Sequence, residues 1–117
     1  MIVKHIRENL GSQDGTMRIL GIWDDSLNPG TLIDPHYHTD IEEVYYILEG
    51  EGEVLVGHET RHVNPGHVVY IPPNQLHTIR PRGKEPLRWI TIAIAIDPEL
   101  IPSQSKQKRS EQEPYIA

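Results

Sequence analysis

Short runs of β-branched and aromatic residues, interrupted every few positions by proline, glycine, asparagine or aspartate, set the pattern of this chain. The runs fall at Met17–Trp23, Leu32–His38, Val44–Leu48, Glu53–Val56, Arg61–Val63, Val68–Ile71, Leu76–Arg80 and Arg88–Ile96. Turn clusters separate them at Asp24–Gly30, Glu49–Gly52, Gly57–Thr60, Asn64–Gly66, Pro72–Gln75 and Pro81–Pro86. No segment of about 11 residues or more carries the i, i+3, i+4, i+7 apolar spacing of an amphipathic helix. Ten prolines and nine glycines punctuate the chain throughout. Short strands at this spacing predict an all-β fold, a sandwich or barrel of antiparallel sheets.

Two of the runs are apolar on both faces. Val44–Leu48 places Tyr45 and Ile47 on the side of Glu43, with Val44, Tyr46 and Leu48 opposite. Arg88–Ile96 places Ile90, Ile92, Ile94 and Ile96 on one face and Trp89, Thr91, Ala93 and Ala95 on the other. A solvated outer face would carry polar residues. A second sheet or a second subunit is therefore expected over the remaining face, and a homodimer follows as an expectation. Past Asp97 the composition turns polar and charged. Residues 1–100 are read as one barrel domain and residues 101–117 as a polar tail that contributes little core.

The chain has 117 residues, which fits one domain with a modest core. Its formal charge is −6, and no basic block is long enough to track a nucleic-acid backbone, so nucleic acid is not an expected partner. The opening residues MIVKHIRENL lack the apolar run of a secretory signal, and no stretch is long enough to span a bilayer. The expected location is the cytoplasm, with no membrane partner. There is no cysteine, so any metal site must be built from nitrogen and oxygen donors.

Those donors are concentrated in GTLIDPHYHTDIEEVYYILEG, Gly30 to Gly50. In extended chain His36 and His38 face one way and Tyr37 the other. A hairpin return brings Glu43 beside them, with Glu42 as the competing carboxylate. A second stretch, Gly66–Pro81, reads as a strand, a proline turn and a strand carrying His77. Three imidazoles and one carboxylate form a plausible set for one divalent transition metal per chain. Iron, nickel, copper and zinc suit the imidazoles, and the carboxylate keeps manganese in the set.

These two stretches resemble the motifs of the cupin superfamily, small single-domain type. Gly30, His36, His38, Glu43 and Gly50 stand at the spacings of the first cupin motif, and Gly66, Pro72 and His77 resemble the second. Three positions depart from the second motif. Asn74 stands for glycine, His67 for aspartate and Pro81 for asparagine. The resemblance covers about half the chain. It implies a jelly-roll barrel (double-stranded β-helix) of two antiparallel sheets, with a metal held on its inner wall by His36, His38, Glu43 and His77. Such a set leaves up to two octahedral positions open and supports Lewis-acid or oxygen-activating chemistry.

The leading expectation is a metal-dependent enzyme acting on a small organic molecule by dioxygenase-like oxidation. Isomerase, lyase or decarboxylase chemistry is the alternative. A non-catalytic barrel that binds a small ligand or metal is the competing class. Tyr45, on the Glu43 face, is the candidate for handling a proton or orienting substrate, against the plain role of filling the barrel. Trp89 lines the pocket if its face turns inward. Arg18 is weighed as a substrate-carboxylate contact, and Arg80, Arg82, Lys84 and Arg88 are read as a solvated basic rim. His5, His58 and His62 are read as surface residues, and His67 as lying outside the ligand set. Gly50 and Gly66 are read as turn glycines. No Gly-x-Ser-x-Gly elbow, phosphate loop or glycosidase-like carboxylate pair is present.

Overall fold

The computed structural model describes residues 1–97. The expected tail lies outside the described residues. Two one-turn 3-10 helices, Ile6–Glu8 and Ser12–Asp14, precede seven strands: β1 (Ile19–Leu27), β2 (Ile41–Glu49), β3 (Gly52–Val56), β4 (Glu59–Val63), β5 (Val68–Ile71), β6 (His77–Pro81) and β7 (Leu87–Ala95). They form a four-stranded sheet in the order β1-β7-β2-β5 and a three-stranded sheet in the order β4-β3-β6, with every pairing antiparallel. The expected all-β jelly roll of two antiparallel sheets is the fold observed.

Alternation decides which side chains meet between the sheets. On β7 the odd positions Leu87 to Ala95 are buried and the even positions are half-buried. On β2, Glu43, Tyr45 and Ile47 turn inward. The inner faces join Ile33, Tyr45, Ile47, Val54, Val63, Ile71, Ile79, Leu87 and Trp89 into one core. The Trp89 face of β7 is thus the one covered by the second sheet.

The isoleucine face of β7 is the outer face of the four-stranded sheet. There Ile92 stands between Ile22 and Val44, and Ile90 lies beside Tyr46, which pairs in turn with Val68. Tyr46, Val68 and Tyr70 on this side are exposed. The outer face of the smaller sheet is different. Glu53 is flanked by His62 and Arg80, and Arg80 donates two hydrogen bonds to its carboxylate.

Two expected boundaries move. Asp24, Asp25 and Ser26 were assigned to a turn, but β1 continues through them to Leu27, each paired across to β7. Backbone pairing to a central strand outweighs the low strand propensity of aspartate. Conversely, Leu32–His38 is not a strand. It contributes a single isolated bridge, His36 to His77. Pro35 has no N–H to give, and three steps along this segment (Ile33 to His36) match two along β6 (Ile79 to His77), so a bulge interrupts the ladder.

The turns explain Gly50, Gly66 and two of the three motif departures, Asn74 and His67. Gly50 and Gly66 have φ of +83° and +95°, the left-handed region that glycine enters without strain. A Cβ at Gly50 would also collide with the Pro86 carbonyl. Asn74 has φ +65°, a conformation asparagine tolerates better than most residues, so it serves in the place of a glycine. At the turn before β5, the His67 amide donates to the Asn64 carbonyl (3.0 Å) while Asn64 N–H donates to His67 Nδ1 (2.8 Å). His67 therefore supplies the acceptor that an aspartate side chain would offer there.

Candidate metal centre

The segment after β1 crosses to the smaller sheet as a strap and lies against β6. Ile33 N–H donates to Ile79 O (3.1 Å), and His36 and His77 exchange both backbone hydrogen bonds (3.1 and 2.9 Å). The Thr78 hydroxyl donates to the Ile33 carbonyl. At the far end of the strap, Asn74 N–H donates to His38 O at 2.6 Å. The strap is extended around the histidines although it is not a ladder strand. Tyr37 therefore points outward, 59% exposed, while His36 and His38 are half-buried.

His36, His38 and His77 converge. Their ring centroids are 4.9, 4.3 and 5.5 Å apart, and one nitrogen from each lies within 4.8 Å of the others. The tautomers of two rings are set by the backbone. His36 Nδ1 stands 2.8 Å from Asp34 O, and His77 Nδ1 stands 2.9 Å from Gln75 O. A carbonyl oxygen only accepts, so each Nδ1 carries a proton, and in the neutral ring the lone pair is then on Nε2. Holding one nitrogen this way also fixes the ring plane.

Glu43 comes from the opposite sheet, between Ile71 of β5 and Ala93 of β7. It is 1% exposed, and its Oε1 lies 3.5 Å from His77 Nε2. Glu42 points to the outer face and accepts a hydrogen bond from Tyr70 (2.6 Å), which pushes the Tyr70 phenol above its ordinary pKa. The structure thus brings His36, His38 and His77 together, sets Glu43 against His77 and sends Glu42 elsewhere. Three imidazole nitrogens and one buried carboxylate, with two rings aligned by backbone carbonyls, fit a transition-metal ion.

Tyr45 is 1% exposed, on the Glu43 face, with its ring 5.7 Å from that of Trp89. Trp89 is fully buried, and its indole N–H donates to Thr91 Oγ1 (2.9 Å). The Thr91 hydroxyl in turn donates to Asp25 Oδ2 (2.7 Å). Asp25 is the polar inner-face residue that the sequence reading passed over. Its signal was the i+2 succession from Gly21 through Trp23, masked by the turn-like DDS that follows.

The remaining candidates lie elsewhere. Arg18 donates to the Ile96 carbonyl (2.9 Å). The expected basic rim is divided. Arg80 and Arg82 meet Glu53 at 2.5 and 3.8 Å, whereas Arg88 joins Asp24 and Glu49 on the other sheet. Arg88 sits on a long strand rather than in the turn, so alternation carries it to the other sheet's outer face.

The model of the Cupin domain family matches residues 24–93, more than half of the chain and all four converging residues. Over 58 residues the chain is 43% identical to an uncharacterized protein of Methanocaldococcus jannaschii, covering 50% of this chain and 45% of that one. Over a stretch of equal length it is 33% identical to the gentisate 1,2-dioxygenase of a Haloferax species, covering 50% of this chain and 16% of that enzyme. The matched stretch is less than half the length of each of these curated relatives. Among solved structures, a predicted oxalate decarboxylase of Thermotoga maritima superposes with a TM-score of 0.70 at 24% identity, over 74% of this chain and 76% of that one. That likeness is one of fold.

Proposed function

The chain belongs to the cupin family, and from that premise we propose that His36, His38, His77 and Glu43 hold one divalent transition-metal ion and serve an enzyme of small organic molecules, with dioxygenase-like oxidation as the leading reaction. The observation that carries the proposal is the convergence of three imidazoles within 4.8 Å, beside a carboxylate buried to 1%. A solvent-filled barrel needs no such cluster, and burying a carboxylate among apolar strands is costly unless a cation or donors compensate it. When bound, a redox-active ion supplies electron transfer and Lewis acidity. The protein's own share is positional. The Asp34 and Gln75 carbonyls orient two rings, β2 presents Glu43, and the apolar walls of the barrel exclude water. Tyr45 is placed to orient a substrate or carry a proton from the Glu43 face.

The relative named gentisate 1,2-dioxygenase, at 33% identity over 58 residues, favours oxidation. Isomerase, lyase or decarboxylase chemistry is the alternative that the same donor set supports. Elemental analysis tests the site. Wild-type protein is expected to carry near-stoichiometric iron, manganese, nickel or copper, and His36→Ala/His77→Ala to lack it while keeping its β-sheet circular dichroism. Iron with oxygen uptake on small phenols or diketones supports oxidation. Manganese or nickel without uptake moves the reading to the alternative, and no metal after reconstitution overturns the site.

The outer face of the four-stranded sheet supports a further reading, that a second copy of this chain packs there to give a homodimer. Ile22, Val44, Tyr46, Val68, Ile90 and Ile92 form a contiguous apolar face. A monomer seldom exposes an apolar area of that extent to water.

A further inference from the structure

A cavity of about 500 Å³ lies along the seam between β4 and β5, the edge strands of the two sheets, and none of His36, His38, Glu43 or His77 lines it. Its volume is within the range of small-molecule pockets, roughly 300–1,000 Å³. We infer that this seam is a second binding site, for a small molecule with an apolar body and a single carboxylate.

The apolar part is supplied by core-face residues of three strands. Val54 and Val56 on β3, Val63 on β4 and Val69 on β5 line the cavity, together with Pro72. Register gives the polar part its direction. Glu59 is the pairing partner of Val56, and Arg61 of Val54. Directly paired residues share a face. Both charges therefore stand on the core side of an edge strand, and the cavity runs past the strand edges to His62, Val68 and Tyr70 of the outer faces.

The two charges pair with each other, and that pair uses only part of the donor fork of Arg61. Arg61 Nε and Nη2 both approach one oxygen, Glu59 Oε2, at 2.8 and 2.7 Å. The side chains are 76% and 64% exposed, so the pair is worth little in water and yields readily to a competing carboxylate. A guanidinium has five N–H donors and can serve two carboxylates at once. His67 also lines the cavity. Its Nδ1 accepts from the Asn64 amide, so the neutral ring carries its proton on Nε2 as a second donor.

The same two charges argue against a peptide strand as the occupant. Inward-pointing charges on an edge strand obstruct addition of another strand. A compact ligand meets no such obstacle. It lays its apolar body on the valines and sets its acid group against Arg61.

Octanoate and 1-octanol serve as probes, titrated into metal-stripped, full-length protein and followed by amide chemical shifts. Wild-type protein is expected to bind octanoate with shifts confined to β3, β4, β5 and their turns. Arg61→Gln should weaken octanoate at least fivefold and leave octanol unchanged. Val69→Phe, which fills the cavity from a half-buried position, should weaken both. If Val69→Phe does not fold, Val56→Phe at another half-buried lining position replaces it with the same expectation. No octanoate binding to the wild type at millimolar concentration overturns the inference. So do shifts confined to the outer sheet face, or equal loss of octanol and octanoate affinity in Arg61→Gln. Because the metal is removed, the result stands apart from the fate of the proposed metal centre.

Discussion

The chain of hydrogen bonds from Trp89 through Thr91 to Asp25 gives a stability prediction with a definite size. Thr91→Val keeps the shape of a fully buried side chain and deletes its hydroxyl. The indole N–H of Trp89 then loses its acceptor in a place without water, and an orphaned buried donor costs about 1–3 kcal/mol. Asp25 is only half-buried, so water takes over most of what the hydroxyl gave it, and that loss adds about 0.5–1 kcal/mol. The expected destabilisation is about 1.5–4 kcal/mol. Thr91→Ser is the control, since it retains the hydroxyl and removes one methyl group, for about 1 kcal/mol. Urea denaturation followed by tryptophan fluorescence measures both. A valine variant as stable as the serine variant would refute the claim that the hydroxyl matters more than the methyl. In a cycle with Trp89→Phe, which removes the donor, a coupling energy near zero would show that Thr91 does not act through the indole.

Three shorter predictions use other parts of the fold. Asn74 holds φ +65°, so Asn74→Gly should leave stability within about 0.5 kcal/mol while Asn74→Val costs about 1–2 kcal/mol, read from denaturation midpoints. Arg88 donates two hydrogen bonds to Asp24 and holds that carboxyl below its ordinary pKa. A depressed carboxyl stabilises above its unfolded pKa and loses that contribution as pH falls through the folded value. Arg88→Ala should therefore be less stable than wild type at pH 6, by a small amount because solvent screens a surface pair, and the difference should nearly vanish near pH 2, read from urea midpoints at both pH values. On the outer sheet face, Tyr46→Lys/Val68→Lys should halve the sedimenting mass while leaving the circular dichroism unchanged. A wild-type monomer at micromolar concentration would remove the dimer.

Much of the fold was legible because period-two alternation is strongest where strands are long and central. Tyr45, Ile47 and Trp89 declare their common inner face in the order of residues alone. The convergence of His36, His38, Glu43 and His77 was legible for a different reason, since set spacings between turn glycines and donors fix where each donor lands. What escaped was decided by the partner strand. Asp24 and Asp25 have the composition of a turn, and only pairing with β7 holds them extended. Leu32–His38 has the composition of a strand, and only Pro35 and a bulge against β6 deny it the ladder. The seam cavity was invisible for the same reason. Glu59 and Arg61 read as polar edge residues until register placed them opposite Val56 and Val54.

The strap has a consequence for kinetics. His77 and Glu43 are built into strands, whereas His36 and His38 ride on a segment anchored at one end by the buried Ile33 and the Thr78 hydroxyl, and beyond that by a few backbone bonds at His36 and His38. Opening that segment costs far less than unfolding the barrel. An ion held as proposed by these four residues would therefore be captured in two stages, first by His77 and Glu43 and then by His36 and His38, and would leave by the reverse path. Amide exchange at His36 and Asn74 should then run ahead of exchange in β2 and β7, and slow when metal is added.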